Sequence, residues 1–381
     1  MKAVINQREL DKAIQIVNRA AANKSMIAAL SGILINAETD KLILMANNHE
    51  IAIKHTVDAD VDEPGKVLVS GRLLSDLVKR MPAGDVTLKH DAGGNSLNIK
   101  GTGTSYNILS MRVYDFPDFP AIEGDANYFS MLAAELREIY KHTAFAVSTD
   151  TVSRPMYTGI HLMLKNQQLS AFSTDTHRFA LKRFDGQLSE TEANIIIPTK
   201  TLAEATMVLG PDDPVDIIWS TNKIAFTTPN TYFVSRLISG KSPDFERIIP
   251  QDPGTVVTVS REQFLTALER LSIVSMERHK DFCLNDTVMT VKDGVLKISG
   301  TSREKGHAEE EMPADITGES MEIIFNGTNV SECLKVLSSD KVIISLVSPK
   351  RPAMLVADND DKFLYVFSPV VRSVPGMEAA S

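Results

Sequence analysis

The sequence predicts an α+β protein made of three similar repeats, each with two helices packed on antiparallel sheets. A helix-like segment begins at Gly71, recurs 128 residues later at Thr199, and recurs after a further 128 residues at Gly327. Strand-like segments precede and follow each of these three helices. Internal repeats decide the architecture of a chain, so the fold is expected to be modular.

A further helix opens each repeat. The three predicted opening helices cover residues 6–19, 132–143 and 260–272. In the first of them, apolar residues recur at the spacing of one buried helix face. These residues are Leu10, Ala13, Ile14 and Val17.

Two of the opening helices also carry a start signal. Asn6 is followed three positions later by Glu9, and Ser260 is followed in the same way by Gln263. In such a capping box, the side chains of the two residues satisfy each other's free backbone amides. The helix starts are therefore predicted independently of hydrophobicity.

Strand patterns lie between the two helices of each repeat and again after the second helix. The first group covers residues 32–53, 159–180 and 288–299, and the second covers residues 86–111, 215–237 and 342–367. Residues 288–299 turn at Asp293 and Gly294, a pair that favours a two-residue hairpin. Each repeat thus contains the same half twice, which gives six similar pieces per chain.

Length and composition indicate three domains. A chain of 381 residues exceeds what one core usually holds, and repeats of about 125 residues have the common domain size. Proline-rich junctions at residues 114–120 and 242–253 separate the repeats. We predict an N-terminal domain at 1–125, a central domain at 126–252, and a C-terminal domain at 253–381. The last of these ends in a short tail, 373–381, whose composition favours disorder.

The charge of the chain argues against ordinary tight DNA binding. The net charge is −9 and the isoelectric point is near 5.5, whereas such affinity comes from many cationic side chains that displace counterions. Basic residues nevertheless recur on the predicted helices, while acidic clusters lie in strands and connections. Either one face of the protein is basic, or these side chains are solvated helix surfaces.

The cysteine count and the apolar segments bear on the compartment. Cys283 and Cys333 are too few for a disulfide framework or a cysteine zinc site, so both are expected to be buried thiols in a reducing compartment. The sequence shows no secretory signal pattern, and its longest apolar stretch is too short to cross a bilayer. A cytoplasmic location is expected.

The motifs do not form a catalytic constellation. Residues 173–178 combine hydroxyls with Asp175 and His177, which a hydrolase could use, but no nucleophile or metal partner accompanies them. The histidines lack the helical pairing of a zinc site. We expect a non-catalytic protein with no metal site and no cofactor. A hydrolase that uses Asp175 and His177 is the alternative.

Three segments resemble the bacterial sliding clamp family, the beta subunit of DNA polymerase III. Residues 173–180, Ser-Thr-Asp-Thr-His-Arg-Phe-Ala, are similar to the family's Ala-Thr-Asp-Gly-His-Arg-Leu-Ala strand. Residues 233–250 resemble its run of Lys/Arg-Leu-Ile, Gly, Phe-Pro-Asp-Tyr and a closing proline. Residues 365–372 resemble its terminal Tyr, apolar pair, Met-Pro, apolar residue and Arg. With the three repeats, the resemblance extends over the whole chain.

The resemblance implies three repeated DNA-clamp domains that form half of a closed ring. In this family a head-to-tail homodimer encircles duplex DNA without sequence preference and acts as a processivity factor. By position, the residues that approach DNA are Lys24, Arg72, Lys79 and Lys200. The residues nominated for the dimer contact are Tyr106, Ile108, Ile273 and Val274. The first set could equally be solvated surface, and the second could equally be core.

The resemblance also implies a pocket for short linear peptides. Its partners would be the catalytic subunit of DNA polymerase III, the clamp loader, other polymerases and repair proteins. The residues expected to line it are Thr174, His177, Arg178, Phe179, Pro243, Arg247, Ile248, Val366, Ser368, Pro369 and Val370. Apolar walls with a few polar groups suit peptide binding. For His177, an ordinary half-buried strand histidine is the competing interpretation.

Some residues depart from the family pattern. Thr176 stands where the family has glycine, Ser368 where it has methionine, and residues 28–30 read Ala-Ala-Leu where Pro-Ile-Leu is usual. The peptide preference is therefore expected to differ from that of other members. A repeat-built scaffold for protein interactions that does not encircle DNA is a further alternative.

Overall fold

The computed structural model describes residues 1–91, 93–122, 126–185, 192–278 and 283–370. The described residues form two compact bodies. The first body consists of Met1–Arg137 together with Lys200–Leu237. The second body consists of Glu138–Thr199 together with the described residues that follow Leu237. The predicted tail, 373–381, lies outside the described residues, and the three-domain division stays a prediction.

The helices of the described residues recur twice per repeat, as predicted. They are α1 Gln7–Asn18, α2 Gly71–Val78, α3 Ala133–Thr143, α4 Thr199–Val208, α5 Arg261–Ser275 and α6 Gly327–Val336. The starts of α2, α4 and α6 confirm the 128-residue spacing. The prediction for α5 ended three residues early, at Ser272. Short 3₁₀ turns lie at Ala28–Ser31, Val113–Asp115, Ala144–Ala146, Pro155–Thr158 and Phe245–Ile248.

The predicted capping boxes form only in part. The side chain of Ser260 accepts a hydrogen bond from the backbone amide of Gln263 at 3.4 Å, as a capping box requires. Asn6 instead accepts from the amide of Arg8 at 3.0 Å. The carboxylate of Glu9 accepts from Lys12 at 2.9 Å, so it is engaged with the helix surface rather than with the cap residue. Asn6 and Ser260 therefore cap their helices as predicted. The predicted hydrogen bond in which Glu9 accepts from the backbone amide of Asn6 does not form.

The strands of the described residues follow the predicted groups. In the N-terminal half they are β1 Lys2–Asn6, β2 Gly32–Glu38, β3 Lys41–Asn47, β4 Ile51–Asp58, β5 Asp60–Glu63, β6 Gly65–Ser70, β7 Asp85–Lys89, β8 Ser96–Gly101, β9 Thr104–Met111, β10 Asn127–Leu132, β11 Gly159–Lys165, β12 Gln168–Thr174, β13 Arg178–Asp185 and β14 Ala193–Pro198. In the C-terminal half they are β15 Pro214–Trp219, β16 Lys223–Thr227, β17 Thr231–Arg236, β18 Thr255–Ser260, β19 Glu277–Arg278, β20 Cys283–Leu284, β21 Asp286–Lys292, β22 Val295–Ser302, β23 Gly306–Gly318, β24 Met321–Asn326, β25 Lys341–Leu346, β26 Ala353–Ala357 and β27 Asp360–Phe367.

The first body holds one antiparallel sheet. Among the described residues its strand order is β10-β15-β16-β17-β4-β3-β2-β6-β9-β8-β7-β1-β5. Helix α1 packs on this sheet through a face that includes Leu10, Ile14 and Val17, all fully buried, and this confirms the predicted face. Burial of such a side chain contributes roughly 1.5–3 kcal/mol, so the helical face and the sheet stabilise each other.

The second body holds a similar sheet. Its described order is β14-β11-β12-β13-β27-β26-β25-β18-β23-β22-β21-β24. The turn between β21 and β22 has positive φ at Asp293 (49°) and Gly294 (79°), which is the geometry of the hairpin turn predicted from that pair. A core of buried side chains, including Phe264, Phe325 and the free thiol of Cys333, lies between this sheet and its helices. The side chain of Cys283 lies outside the described residues.

Candidate functional site

The predicted pocket residues lie on three segments of the second body. The first segment comprises the end of β12, the turn that follows it and the start of β13. The second comprises Pro243 and the 3₁₀ turn Phe245–Ile248, and the third comprises the end of β27 and the residues up to Val370. Strand β13 pairs with β12 on one side and with β27 on the other, which sets Phe179 opposite Val366. Beyond this pair, the amide of Ser368 donates a hydrogen bond to the carbonyl oxygen of His177 at 2.8 Å. The fold therefore brings residues from all three sequence motifs into one body.

The turn at residues 174–178 is held by its own side chains. The hydroxyl of Thr174 accepts from the amide of Thr176 at 3.0 Å and donates to the carbonyl oxygen of Arg178 at 2.7 Å. The carboxylate of Asp175 accepts from the amides of His177 (2.9 Å) and Arg178 (3.0 Å). Such local bonds stabilise a turn and here leave the side chain of His177 exposed. The interpretation of His177 as an ordinary half-buried strand histidine is therefore wrong.

Thr176 adopts an unusual backbone conformation in this turn. Its φ is 79°, in the left-handed region, where a β-branched side chain is strained. Glycine reaches this region without a steric cost. The glycine at this place in the family motif thus has a physical reason, and Thr176 departs from it at a cost in free energy.

Arg178 is directed into the body rather than towards a ligand. Its guanidinium donates to Asp175 at 2.9 Å and also pairs with Glu332, and it lies 5.9 Å from the ring centre of Phe145. Burial opposes the charge, but the hydrogen bond to Glu332 and the neighbouring carboxylates outweigh it and hold the pKa of Arg178 above its ordinary value. Arg178 therefore acts as a fixed cation under the turn.

Aromatic rings form the floor beside the turn. Phe179 is 1% exposed, and its ring stacks on Phe245 with centres 6.1 Å apart. Phe172 lies 5.5 Å from Phe179 and 4.9 Å from Phe245. Val366 is buried in the same cluster and Ile248 packs against it. This cluster joins residues of all three motifs into one apolar layer.

A buried histidine supports the same layer from beneath. The ring of His161 stacks on Phe172 with centres 4.7 Å apart, and its Nδ1 is 2.8 Å from the hydroxyl of Ser242. Burial lowers the pKa of His161 to about 4, so the ring is neutral at ordinary pH. Ser242 begins the linker that carries Pro243. The sequence motifs did not point to His161.

The rim of the layer combines an exposed charged side chain with half-buried residues, most of them apolar. The side chain of Arg247 is 86% exposed and pairs with Asp244 at 2.9 Å. Pro243, Ser368, Pro369 and Val370 are half-buried. A buried apolar layer edged by such groups can receive an apolar side chain and orient a peptide backbone. The nominated set therefore forms one surface, except that Arg178 and Thr174 act from within the turn.

This geometry disfavours the hydrolase alternative. The carboxylate of Asp175 is occupied by two backbone amides and by Arg178. Within the described ranges, no group of three or more His, Cys, Asp or Glu side chains is arranged to hold a metal ion. Asp175 is therefore a turn cap and not a base for His177.

The four residues nominated for DNA lie on the first body. Lys24 follows α1, Arg72 lies in α2, Lys79 caps α2 and Lys200 lies in α4; all are exposed. Arg72 and Lys79 are two helical turns apart, so they share a face of α2. Lys200 lies 3.5 Å from Glu50, and the side chain of Arg72, 94% exposed, lies 4.0 Å from Asp76. Pairs this exposed contribute little and leave the cations available.

The residues nominated for the dimer contact differ in exposure. Ile273 is 71% exposed, whereas Ile108 is only 6% exposed. The neighbouring Leu109 on β9 is 78% exposed, which sequence reasoning missed although strand alternation directs adjacent residues to opposite faces. Tyr106 and Val274 are half-buried. From Thr104 to Leu109, β9 pairs with β8 alone among the described strands, so its other edge is unpaired.

Sequence profiles of the DNA polymerase III beta subunit match the chain in three consecutive stretches. The profile of its N-terminal domain matches residues 1–123, that of the central domain matches 131–244, and that of the C-terminal domain matches 246–371.

Relatives and solved structures agree with these profiles. The beta sliding clamp of Streptococcus pneumoniae is 31% identical over 381 residues, which cover 96% of this chain and 98% of that protein. The beta sliding clamp of Staphylococcus aureus is 28% identical over 362 residues, covering 92% and 94%. The crystal structure of a DNA polymerase sliding clamp from Bacillus subtilis matches with a TM-score of 0.91 at 28% identity, covering 98% of this chain and 100% of that one. A sliding clamp from Pseudomonas aeruginosa bound to griselimycin matches with a TM-score of 0.91 at 27% identity and the same coverage.

Proposed function

The chain belongs to the DNA polymerase III beta subunit family of sliding clamps, and from that membership we propose that two copies close head to tail into a ring around duplex DNA. It is a non-catalytic DNA replication protein, like the relatives that carry the name beta sliding clamp. The observation that carries the proposal is the match of all three domain profiles, in order, along one chain.

Ring closure is supported by the free edge of β9. An unpaired strand edge invites another strand, and natural proteins cover such edges. A contact between different surfaces of two identical subunits closes into a ring when the rotation per subunit permits it. We propose that the free edge of β9, with exposed Leu109, meets the region of Ile273 and Val274 in the partner copy. Tyr106 and Ile108, which lie two residues apart on the other face of the strand, would support this contact from the core side.

Encirclement explains how a chain with a net negative charge can stay on DNA. A ring holds DNA topologically, so it needs little affinity and can slide along the duplex. Cations at Lys24, Arg72, Lys79 and Lys200 would meet phosphates without regard to sequence. The overall negative charge then limits tight static binding. A cytoplasmic location accompanies this function in the proposal; no helix among the described residues is long and apolar enough to span a membrane.

The surface built from the turn at 174–178, the linker at 243–248 and residues 366–370 is proposed as the tethering site. An extended peptide would place an apolar side chain against half-buried Ile248, which packs on the layer that contains Phe179 and Val366, while exposed His177 and Arg247 would contact its polar groups. The proposed partners are the polymerase III catalytic subunit, the clamp loader, other polymerases and repair proteins. They would compete for the same site.

The experiment that tests encirclement compares one DNA in two topologies. The protein is assembled on a nicked circular plasmid, separated from free protein by gel filtration, and the plasmid is then cut once. Retention on the circle with loss after cutting is expected, because only a ring depends on free ends. Equal retention on both forms would contradict the proposal.

A further inference from the structure

A turn in the first body repeats the geometry of the turn at 174–178. Asn47 and Ala52 are register partners across the turn between β3 and β4, as Thr174 and Phe179 are across theirs. The residue two positions after the first partner is left-handed in both turns, with φ of 72° at His49 and 79° at Thr176. Two non-glycine residues in this rare conformation at matching positions mark the turns as equivalent.

The segments around the two turns also correspond. Ala52 pairs with Val234 on β17, as Phe179 pairs with Val366 on β27. The side chain of Asn47 accepts from the amide of His49 at 2.8 Å, which matches the bond from Thr176 to Thr174. A linker then crosses each turn: residues 116–119 read Phe-Pro-Asp-Phe, and residues 242–245 read Ser-Pro-Asp-Phe. In the first body the side chain of Asn47 also donates to the carbonyl oxygen of Asp118 at 3.2 Å, which fixes this linker.

The two turns differ in the residue that pairs with the neighbouring strand at this position, which is Ala52 in the first body and Phe179 in the second. The second body has the ring of Phe179 at this point, whereas the first has Ala52, which is fully buried and has Phe119 and Tyr232 packed against its cluster. A cavity of about 210 Å³ lies beside it; its apolar lining residues are Ile51, Ala52, Pro120 and Val234, and its other lining residues are polar or charged. Ligand pockets that enclose a drug-sized molecule measure about 300–1,000 Å³, so this cavity suits one large side chain rather than a whole small molecule.

The charged groups at its mouth favour an acidic neighbour for that side chain. Lys223 and Arg236 both line the cavity, and neither has an ion-pair partner among the described residues. Lys223 donates to the carbonyl oxygen of Ala121 at 3.1 Å, which holds its amino group at the linker. Of the acidic lining residues, Glu50 pairs with Lys200 at 3.5 Å and Asp118 lies in the linker. The two unpaired cations therefore complement a carboxylate.

We propose that this cavity is a second peptide site, which takes an extended segment of a partner protein through one large apolar side chain next to a carboxylate. The inference rests on the peptide site proposed above, because the equivalence of the two turns carries it. The apolar side chain enters the cavity beside Ala52, and the carboxylate meets Lys223 and Arg236. Each chain then offers two unlike peptide sites, the second body presenting a filled aromatic layer and the first an open cavity.

The test maps where a photoreactive peptide attaches to the full-length protein. The probe is an acetylated pentapeptide amide, Ser-photoleucine-Asp-Leu-Gly, in which the diazirine leucine is the anchor. After irradiation the protein is digested and labelled fragments are identified by mass spectrometry. We expect competable labelling within residues 47–52 or 223–236. Labelling only at residues 174–179 or 366–370, or none that unlabelled peptide competes, would overturn the inference.

Matched variants assign the labelling to the cavity. The double variant Lys223→Glu, Arg236→Glu should lower labelling of the first body at least tenfold. Lys66→Glu with Lys100→Glu changes the net charge equally at exposed positions elsewhere and should have no effect. Equal labelling in all variants would contradict the inference.

A further variant separates this inference from the proposed function. His177→Ala should reduce labelling at 366–370 and leave labelling at 47–52 unchanged. Labelling at 47–52 without any at 366–370 in the unmodified protein would contradict the first peptide site and support the second. Labelling at 366–370 alone would support the first peptide site and contradict the second.

Discussion

The amide of Ser368 donates to the carbonyl oxygen of His177 at 2.8 Å, which ties the end of the last strand to the turn between β12 and β13. Beside this bond, Phe179 and Val366 are register partners in the same sheet. The polar edge and the apolar floor of the proposed peptide site are thus set by one strand pairing. A substitution that shifts β13 or β27 would therefore displace both the polar edge and the apolar floor of the site.

Replacement of either exposed polar residue of this site should weaken peptide binding. We predict that His177→Ala or Arg247→Ala lowers the affinity for a polymerase-derived peptide about tenfold, the effect of losing roughly 1.4 kcal/mol of contact. Fluorescence anisotropy with a labelled peptide measures the affinity. Both variants should remain dimeric in sedimentation velocity, since neither side chain supports the core. Unchanged affinity in both variants would remove the assignment of this site.

Thr176→Gly should stabilise the protein. Thr176 has a φ of 79°, and a left-handed conformation costs an L-residue about 1–2 kcal/mol, which exceeds the entropic cost of glycine. We expect a net gain of about 0.5–1 kcal/mol, observed as a higher thermal midpoint in calorimetry.

The matched control for this change is Thr317→Gly. Thr317 is exposed in the extended strand β23, where glycine removes no strain. This variant should lower the midpoint. A fall in the midpoint of Thr176→Gly as large as that of the control would refute the claim of strain.

The stability of the second body should depend on pH through His161. Burial lowers its pKa from 6.5 to about 4, so between these values the unfolded chain binds more protons than the folded one. The contribution of about 3 kcal/mol is complete above pH 6.5 and is lost as the pH falls towards 4. Urea denaturation at several pH values measures this slope.

His161→Phe provides the comparison, because it keeps a ring on Phe172 and removes the titrating group. The slope between pH 4 and 6.5 should become shallower. His142 lies in the same body, and burial lowers its pKa as well, so it should leave a residual slope. An unchanged slope in His161→Phe would show that His161 does not titrate as described.

Ile273→Glu should prevent pairing of two chains. Ile273 is 71% exposed, and a carboxylate placed in an apolar contact would have to be desolvated without a partner. Sedimentation equilibrium should then report a single chain. Met207→Glu is the control, because Met207 is 67% exposed on α4 and is not among the residues proposed for the contact. Dimers of equal stability in both variants would exclude Ile273 from the contact.

The helices and hairpin turns could be predicted from the sequence because neighbouring residues determine them. Ser260 caps α5, and Asp293 with Gly294 forms a hairpin turn, so neighbouring residues determine both features. Helix α1 likewise follows from its own apolar spacing.

Contacts between distant residues could not be predicted in this way. Nothing local joins Arg178 to Glu332, whose pairing depends on two separate elements meeting. The burial of Ile108 beside exposed Leu109 depends on which face of β9 meets the core, and the cavity beside Ala52 depends on the register of β4 with β17.

The central claim is that a ring of two chains encloses DNA, and trapping on linear DNA tests it without a clamp loader. One DNA end is attached to a bead and the other carries biotin. A ring can pass over the biotinylated end until streptavidin is bound there, and streptavidin is added either after or before the protein. We predict that streptavidin added after the protein retains it through a high-salt wash, that streptavidin added first excludes it, and that DNA without streptavidin loses it. Retention that is the same in all three orders would contradict encirclement.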